Sequence, residues 1–419
     1  MLPESATADP TTATPVDALA RVQKLEDDHL MRTYGRIPLL LERGKGPYVF
    51  DHTGRKYLDF ITGIGVNALG YAHPRLLKVI KEQSAKLIHA SNLYYNPYQG
   101  ELAERLTRLA GMDRAFFSNS GTEAIEGALK LARRYGTARS AEKFEVVTLD
   151  NSFHGRTYGA MSLTGQPKYR ESFQPLVPGI RFVEAGNIAA LEAAVGPQTC
   201  AILLEPIQGE GGIFEMDVAF MQAAADLARR HDALLLFDEV QCGLARSGRP
   251  FAFQWTEIVP DVVITAKPIA NGLPLGCLMA RGAAADIFTP GLHGSTFGGG
   301  PLTCRVALEV LDIIEQDHLM EHIQAMGALL KTGLQELAAK FKCVKEVRGR
   351  GLMLGLDLKV PAKPVVDAAR AEGLLVNATH ETVVRMLPPF IVEEKHIQWA
   401  LRRLRRALKK AGGSVERQA

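Results

Sequence analysis

Between residues 114 and 265 the chain alternates short apolar runs with amphipathic runs, and this alternation restricts its fold more than any other feature. The amphipathic runs have the periodicity of helices, as at Glu123–Arg134 and Phe220–Arg230. Unbroken apolar strands separated by helices are typical of a mostly parallel sheet covered by helices on both faces, so we expect an α/β fold. The strands are predicted at Arg114–Ser118, Glu145–Leu149, Ala201–Leu204, Ala233–Phe237 and Asp261–Thr265.

The two ends of the chain have a different pattern. Residues 46–60 predict a hairpin that turns at Asp51–Gly54. After about residue 305, long helical patterns are followed by strand patterns at Leu352–Leu358 and Val383–Leu387. We therefore expect a smaller α+β domain made from both ends of the chain. The expected divisions are a disordered tail over 1–16, small-domain segments over 17–75 and 305–419, and a large domain over 76–304.

Charge, hydropathy and cysteine usage exclude several classes of protein. The net charge of +3 gives no reason to expect a nucleic acid or an acidic membrane as partner. No stretch approaches the roughly 20 apolar residues that span a bilayer, and the N-terminus lacks the pattern of a secretory signal. The five cysteines are scattered without a C-x-x-C pair, which favours free thiols in a reducing compartment. We expect a cytoplasmic protein without a metal site.

Polar residues follow four of the predicted strands, where ligands collect in sheets of this kind. The loop after the first strand, Ser118–Thr122, precedes a helix, whose free N–H groups can hold an anion. An ordinary helix cap by Ser120 or Thr122 explains that loop as well. The other three loops are Asn151–Thr157, Glu205–Gly212 and Asp238–Gly243.

A lysine, Lys267, follows the fifth predicted strand, Asp261–Thr265, and directly precedes Pro268. It is either a solvated loop residue or an amine desolvated for chemistry, since desolvation lowers a lysine pKa and frees a nucleophile. Because a residue before proline is pushed towards an extended backbone, we expect Lys267 to be extended and to point into a site. Asp238 is the natural carboxylate to set against this cation.

Together these loops offer what pyridoxal phosphate requires. Its aldehyde needs an amine, its phosphate an anion cradle, its ring a flat apolar neighbour, and its pyridine nitrogen a carboxylate. Each feature alone is a weak signal, but their order at successive strand ends predicts this cofactor.

The segment Leu234–Lys267, "LLLFDEVQCGLARSGRPFAFQWTEIVPDVVITAK", followed by "GLPLG", resembles the class III (ornithine-type) pyridoxal-phosphate aminotransferases of fold type I. The resemblance runs from about Asp28 to the C-terminal helix. Within the class, the chain looks most like the N-acetylornithine aminotransferases. The supporting stretches are "GVNALGYAHP", "NLYYNPYQGELAERL", "SNSGTEAIEGALKLAR", "FHGRT", "EPIQGEGG", "HGSTFGGGPL" and "RMLPPFIV".

The resemblance implies a role for individual residues around the cofactor. Lys267 holds the cofactor covalently and later moves a proton, and Asp238 pairs with the pyridinium nitrogen. Thr296 binds the phosphate in the site of a partner subunit, which implies an obligate homodimer with shared active sites. The other implied cofactor contacts are Gly121 and Thr122 at the phosphate, Phe153 and Val240 on the two ring faces, Gln241 at the ring hydroxyl, and Glu239.

The resemblance also implies that two arginines bind the carboxylates of the substrates. Arg156 clamps the substrate carboxylate, and Arg385 pairs with Glu210 until 2-oxoglutarate arrives and displaces that carboxylate. The alternative is that Arg385 and Glu210 form a permanent structural ion pair. Ser295 is assigned to the substrate, and Tyr94 and the Gly65–Val66 turn are candidates for contacting its far end.

The expected reaction moves the terminal amino group of N2-acetyl-L-ornithine to 2-oxoglutarate, a step of arginine biosynthesis. Succinylornithine, ornithine, succinyldiaminopimelate, 4-aminobutyrate or a lysine precursor remain alternative donors. An aminomutase of the glutamate-1-semialdehyde type and a nucleotide-binding protein without covalent chemistry are rival functions. One departure bears on the substrate: the chain reads "AKPIANGLPLG", with Asn271 where acetylornithine enzymes commonly have a glycine.

Overall fold

The computed structural model describes residues 15–411, with side chains from residue 18 onward. The predicted tail over 1–16 therefore lies outside the described residues, except for Pro15 and Val16, which open the first helix. The helices are α1 Pro15–His29, α2 Thr62–Gly65, α3 Pro74–Ser84, α4 Gln99–Ala110, α5 Gly121–Thr137, α6 Tyr158–Leu163, α7 Ile188–Ala194, α8 Val218–Arg230, α9 Pro301–Gln316, α10 Leu319–Lys340, α11 Lys363–Ala371 and α12 Glu394–Ala411.

The strands occupy both the middle and the ends of the chain. They are β1 Leu41–Lys45, β2 Tyr48–Asp51, β3 Lys56–Asp59, β4 Arg114–Ser118, β5 Glu145–Leu149, β6 Ile180–Val183, β7 Thr199–Leu204, β8 Ile207–Gln208, β9 Phe214–Glu215, β10 Leu234–Asp238, β11 Val262–Thr265, β12 Gly276–Ala280, β13 Val344–Arg350, β14 Met353–Leu358, β15 Leu374–Leu375, β16 Asn377–Thr379 and β17 Val383–Met386.

A seven-stranded sheet in the order β4-β12-β11-β10-β7-β5-β6 forms the centre of the large domain. Its strands run in one direction except β12, which is antiparallel to both of its neighbours. The mostly parallel α/β sheet predicted from the alternating pattern is thus confirmed. The five predicted strands are all present within one or two residues at their ends, whereas β6 and β12 were not predicted.

Helices cover both faces of this sheet because alternate strand residues point to opposite sides. In β10, Leu234 and Leu236 belong to a buried cluster that includes residues of α5. Leu235 and Phe237 belong to another, which includes residues of α8 and α9. Because both faces are buried, the loops at the carboxyl ends of the strands are the part of the sheet that is open to ligands.

Segments from both ends of the chain come together in two smaller sheets. An antiparallel sheet in the order β13-β14-β17-β16 is joined by a second sheet in the order β1-β2-β3-β15. In the second sheet β15 pairs in parallel with β3, with Leu374 opposite Leu58, so the late strand completes a hairpin formed early in the sequence. The predicted domain boundaries at 75/76 and 304/305 fall inside α3 and α9, so each lies within a continuous helix.

No helix in the described part of the chain is long and apolar enough to cross a membrane.

Candidate active site

A cavity of about 360 Å³ lies beyond the carboxyl ends of β10 and β11. This volume is within the range of small-molecule sites. Residues from all four predicted loops meet there, together with Val66 from the N-terminal segment. The predicted site residues that line it are Gly121, Thr122, Phe153, Arg156, Glu210, Asp238, Val240, Gln241 and Lys267.

Lys267 lines the cavity directly after β11, as the first residue of a short 3₁₀ turn that ends at Ala270. Its backbone φ is 32°, so the predicted extended conformation at this residue is wrong. The N–H of Ile269 donates to the carbonyl of Ala266 at 3.0 Å, and this tight turn reverses the chain at once. A positive φ is uncommon for a residue with a side chain, and such strained conformations cluster at functional sites.

Burial lowers the pKa of the Lys267 amine, and the nearby charge of Glu210 acts in the opposite direction with a smaller effect. A lowered pKa raises the share of neutral, nucleophilic amine near neutral pH. The desolvated-amine interpretation of Lys267 therefore agrees with its surroundings.

Asp238 ends β10 with its carboxylate held by two donors. The N–H of Val240 donates to Oδ1 at 3.0 Å, and Nδ1 of His154 lies 2.7 Å from Oδ2. On its other side, Nε2 of His154 lies 3.2 Å from Oγ1 of Thr148. Asp238 and His154 are both buried, so the orientation of the carboxylate towards the cavity is fixed by the protein itself.

Sequence reasoning gave no role to His154 or to Glu205, although both stand in quoted motifs and both line the cavity. The Glu205 carboxylate accepts the N–H of Phe153 at 2.9 Å and that of Gly209 at 3.1 Å. Burial raises its pKa to about 7. Glu205 thus connects the loop that bears Phe153 to the loop that bears Glu210, a role that only the folded structure reveals.

The first turn of α5 provides an anion cradle. Ser120 caps the helix by accepting the N–H of Glu123 at 3.3 Å, as the ordinary-cap interpretation expected. The N–H groups of Gly121 and Thr122 have no partner within the helix, because they belong to its first turn. The Thr122 hydroxyl accepts the N–H groups of Arg156 and Thr157, each at 3.2 Å, and so ties the cradle to the neighbouring loop.

Arg156 presents a positive charge at the edge of the cavity. Its guanidinium carbon lies 4.1 Å from the ring centroid of Tyr169 and 5.7 Å from that of Phe153. Stacking on aromatic rings orients a guanidinium while leaving its N–H groups available for a carboxylate.

Arg385 lies behind the cavity wall, and only 1% of its side chain is exposed. Its Nη1 pairs with Oε1 of Glu210 and donates to Oε1 of Gln241 at 3.0 Å. Its Nε donates to Oδ1 of Asn377 at 3.2 Å. Glu210 and Gln241 line the cavity, whereas Arg385 does not, so these two side chains separate the arginine from the cavity.

Burial by itself would raise the pKa of Glu210, but the charge and hydrogen bond of Arg385, together with Lys267 and Gln241, leave this pKa below its ordinary value. Glu210 is the more exposed partner, with 22% of its side chain accessible against 1% for Arg385.

The structure places some predicted residues elsewhere. Glu239 does not line the cavity. Its buried carboxylate accepts the N–H groups of Ala252 and Phe253 at 3.0 and 2.8 Å, so its prediction as a cofactor contact is corrected to a support of the adjacent turn. Gln241 lines the cavity, but its amide is engaged by Glu210 and Arg385.

Ser295, Thr296 and Tyr94 are not part of this chain's cavity lining. The hydroxyl of Ser295 accepts a hydrogen bond from Asn119, a lining residue, at 3.3 Å. Thr296 and Tyr94 are exposed on the surface of the chain.

The chemistry of this donor set fits pyridoxal phosphate. Lys267 is an amine with a lowered pKa, the α5 N-terminus is an anion cradle, Phe153 and Val240 are flat or apolar walls, and Asp238 is a fixed carboxylate. A Cβ added to Gly121 would lie 2.8 Å from Cγ1 of Val240. The anion cradle therefore lies directly against Val240, the side chain predicted to pack on one face of the cofactor ring. Among residues 15–411, no cluster of three or more histidine, cysteine or acidic residues could hold a metal ion.

This fold and this cavity define a pyridoxal-phosphate-dependent enzyme of fold type I. The family model "Aminotransferase class-III" matches residues 30–408. The chain belongs to this family of aminotransferases, as its resemblance predicted.

Known proteins extend the comparison along nearly the whole chain. The acetylornithine aminotransferase of Aquifex aeolicus is 44% identical over 91% of this chain and 100% of its own length. An ornithine aminotransferase structure from Toxoplasma gondii, described with partial occupancy of PLP at its active site, has a TM-score of 0.89 and 29% identity, covering 96% of this chain and 99% of that one. The acetylornithine aminotransferase structure from Elizabethkingia anophelis has a TM-score of 0.83 and 29% identity, covering 94% and 99%.

Proposed function

We propose that this enzyme transfers the terminal amino group of N2-acetyl-L-ornithine to 2-oxoglutarate. The products are N-acetyl-L-glutamate 5-semialdehyde and L-glutamate. The observation that carries the proposal is the pair of arginines: Arg156 faces the cavity directly, and Arg385 is covered by Glu210. The 44% identity to the Aquifex aeolicus acetylornithine aminotransferase supports the choice of donor.

The two arginines suit two substrates of different charge. The donor has one carboxylate and a neutral acetamido group, so Arg156 is sufficient while Glu210 keeps Arg385 neutralised. 2-Oxoglutarate has two carboxylates, and the second one replaces Glu210 as the partner of Arg385. Exchanging one carboxylate for another keeps the buried arginine paired throughout, which avoids the high cost of an unpaired buried charge.

Bound pyridoxal phosphate supplies the electron sink and carries the amino group between the two halves of the reaction. The residues proposed to hold it are Lys267 at its aldehyde, Asp238 at its pyridine nitrogen, and Gly121 and Thr122 at its phosphate. His154 fixes the Asp238 carboxylate in place. With the cofactor bound, the Lys267 amine would act as the base that takes a proton from the donor's terminal carbon.

A homodimer is part of the proposal. Large apolar side chains are exposed on the single chain near the proposed phosphate-binding Thr296, among them Phe297 at 65% exposure. Leu93 and Tyr95 are also exposed, and neighbouring Asn92 donates to the backbone carbonyls of Ser295 and Gly298 at 3.0 Å. An apolar surface of this kind favours burial against a second copy. We further propose that the enzyme acts in the cytoplasm, in arginine biosynthesis.

The half-reactions test this function directly. The purified holoenzyme is mixed with one amine at a time, without an oxo acid, while the absorbance of the lysine-bound cofactor is followed. The amines are N-acetylornithine, ornithine, succinylornithine and 4-aminobutyrate. We expect N-acetylornithine to bleach the band fastest and 2-oxoglutarate to restore it.

If another amine reacts fastest, the proposed donor is wrong, but the reaction type still stands. Lys267→Ala is the control, since it should lack the lysine-bound band altogether while keeping its fold by circular dichroism.

A further inference from the structure

Asn271 ends the 3₁₀ turn that begins at Lys267, and it adopts a left-handed conformation with φ 44°. This is the residue that departs from the glycine common in acetylornithine enzymes. Asparagine tolerates the left-handed region better than other residues with side chains, so the turn keeps its shape. The side chain does not line the cavity, and a direct contact with the cofactor therefore does not explain it.

Both ends of the Asn271 amide bind one dipeptide about 200 residues earlier in the chain. Oδ1 accepts the N–H of Leu69 at 2.7 Å, and Nδ2 donates to the carbonyl of Gly70 at 3.2 Å. A single side chain thus fastens the turn of the reactive lysine to the N-terminal segment. The next residue also packs closely, since a Cβ added to Gly272 would lie 3.1 Å from Oδ1 of Asn67.

The segment held by Asn271 forms part of the cavity wall through Val66. Its backbone is strained just before that residue, because φ is positive from Thr62 to Gly65, with 51° at Thr62 and 64° at Ile64. β-Branched residues are unfavourable in this region and persist only where the surroundings hold them.

Two side chains hold the beginning of this strained turn. Oδ1 of Asp59 accepts the N–H groups of Ile61 and Thr62 at 2.7 and 3.0 Å. The Thr62 hydroxyl donates to the carbonyl of Leu387 at 2.7 Å. Asn271 holds the opposite end of the segment, on the side of Lys267.

We propose that Asn271 is a positioning residue that sets the distance between the Lys267 turn and the Val66 wall, and so determines how tightly the amine donor is held. The inference rests on the proposed aminotransferase function, because it concerns the donor's place in the same cavity. The side chain acts through Val66 and touches neither substrate nor cofactor.

The first test is Asn271→Gly, which removes both hydrogen bonds and keeps the left-handed backbone. We expect KM for the amine donor to rise about tenfold with kcat within about twofold, since the loosened wall weakens binding and leaves Lys267 and Asp238 in place. The absorbance of the lysine-bound cofactor should not change. The donor in this test is the amine of the panel that the wild type consumes fastest. If that amine is not N-acetylornithine, the proposed function is wrong, but the positioning role of Asn271 is still tested.

Gln254→Ala is the matched control. The Gln254 amide also makes one accepted and one donated bond to backbone, with Phe251 at 3.1 Å and Leu109 at 2.7 Å, away from the cavity lining. Both variants should lose a comparable few degrees of Tm, but only Asn271→Gly should raise KM. An equal rise in KM for the control, or an unchanged KM for Asn271→Gly, would overturn the positioning role.

Two further measurements locate the effect. In a double-mutant cycle with Val66→Ala, the two increases in KM should be strongly non-additive, and additive increases would show that Asn271 acts elsewhere. Hydrogen exchange of the holoenzyme should speed up at residues 66–71 in Asn271→Gly and not in Gln254→Ala. Because exchange needs no donor, unchanged exchange refutes the inference even if every amine in the panel fails and the proposed function falls.

Discussion

Arg156 and Arg385 carry the same charge but meet the cavity in different ways. Arg156 lies against the rings of Phe153 and Tyr169, where its charge costs little because solvent can reach it. Arg385 is buried and depends on Glu210 for neutralisation. A permanent ion pair and an exchangeable one have the same resting geometry, so function distinguishes them only when the two half-reactions are measured separately.

Arg385→Ala should therefore affect one half-reaction. We expect the amine half-reaction to stay within a few-fold of wild type, and kcat/KM for 2-oxoglutarate to fall about a hundredfold, because one carboxylate loses its buried partner. Pre-steady-state absorbance in each direction measures both values.

Arg350→Ala is the control, because this arginine on β13 pairs with Glu215 at the surface at 3.0 Å. Equal losses in both half-reactions of Arg385→Ala would show that the pair is structural.

The Glu210–Arg385 pair also predicts a pH dependence of stability. The folded pKa of Glu210 lies below its ordinary value of 4.5, because Arg385, with Lys267 and Gln241, more than offsets the effect of burial. The contribution of the ionised carboxylate is therefore complete above the unfolded pKa and is lost as pH falls through the folded one. Thermal unfolding should give the wild type a higher Tm than Glu210→Gln at pH 7. This difference in Tm should become smaller below about pH 4.5.

If the difference in Tm between the wild type and Glu210→Gln stays constant from pH 7 to pH 4, the lowered pKa of Glu210 is contradicted.

At single positions, residue type and spacing predicted the residues that line the cavity better than the residues that hold the surrounding turns in place. Lys267, Asp238 and Arg156 could be found because each is a charged residue at the end of a buried strand or in a loop beside it. The partners of Glu239 could not be predicted, because the turn after β10 directs its carboxylate to the N–H groups of Ala252 and Phe253. The φ of Lys267 depends on the turn that follows it and not on Pro268 alone.

Among the elements, α5 contributes to the site only through its N-terminal residues, Gly121 and Thr122, which line the cavity. Its first residue, Gly121, faces Val240 so closely that a methyl group there would lie 2.8 and 3.0 Å from the two Cγ atoms. The helix N-terminus and the ring wall are thus a single packed unit. A change in either one displaces the other.

Gly121→Ala should accordingly weaken cofactor binding about tenfold or more while α5 itself remains formed, since alanine favours helices. Titration of the apoenzyme with pyridoxal phosphate, followed by absorbance, measures the affinity.

Gly100→Ala is the matched control in the first turn of α4, where an added Cβ meets nothing within 4 Å. If both variants bind the cofactor like wild type, the contact between Gly121 and Val240 does not shape the cradle.

The two strands of the central sheet that were not predicted, β12 and β6, share a physical cause. β12 follows a stretch rich in glycine and proline, residues that signal turns, and its strand identity comes from pairing with β4 and β11 on either side. β6 is a four-residue edge strand with the polar Arg181 in its middle. Their strand conformation depends on partners distant in the sequence, whereas the five predicted strands carry their own signal in unbroken apolar runs.

For the molecule as a whole, the proposed dimer predicts complementation between two defective chains. Lys267→Ala removes the reactive amine, and Thr296→Ala removes the phosphate contact proposed to come from the other subunit. In a mixed dimer, one site combines Lys267 of one chain with Thr296 of the other, so mixing the two variants should restore up to about a quarter of wild-type activity after random reassociation.

Subunit exchange followed by a steady-state assay measures this recovery. Each variant exchanged with itself is the control. No recovery in the mixture, despite mixed dimers detected by mass, would show that Thr296 serves the cavity of its own chain.

The pairing of β3 with β15 has a consequence for how the chain is made. A ribosome releases residues in order, so β3 at Lys56–Asp59 emerges more than 300 residues before its partner at Leu374–Leu375. The seven-stranded sheet is complete once residue 280 has emerged, whereas the cavity still lacks Arg385 behind it. The nascent chain can thus fold its seven-stranded sheet early, but it carries an unfinished sheet edge until residues 374–375 have emerged, and during that interval a folding chaperone would have most to protect.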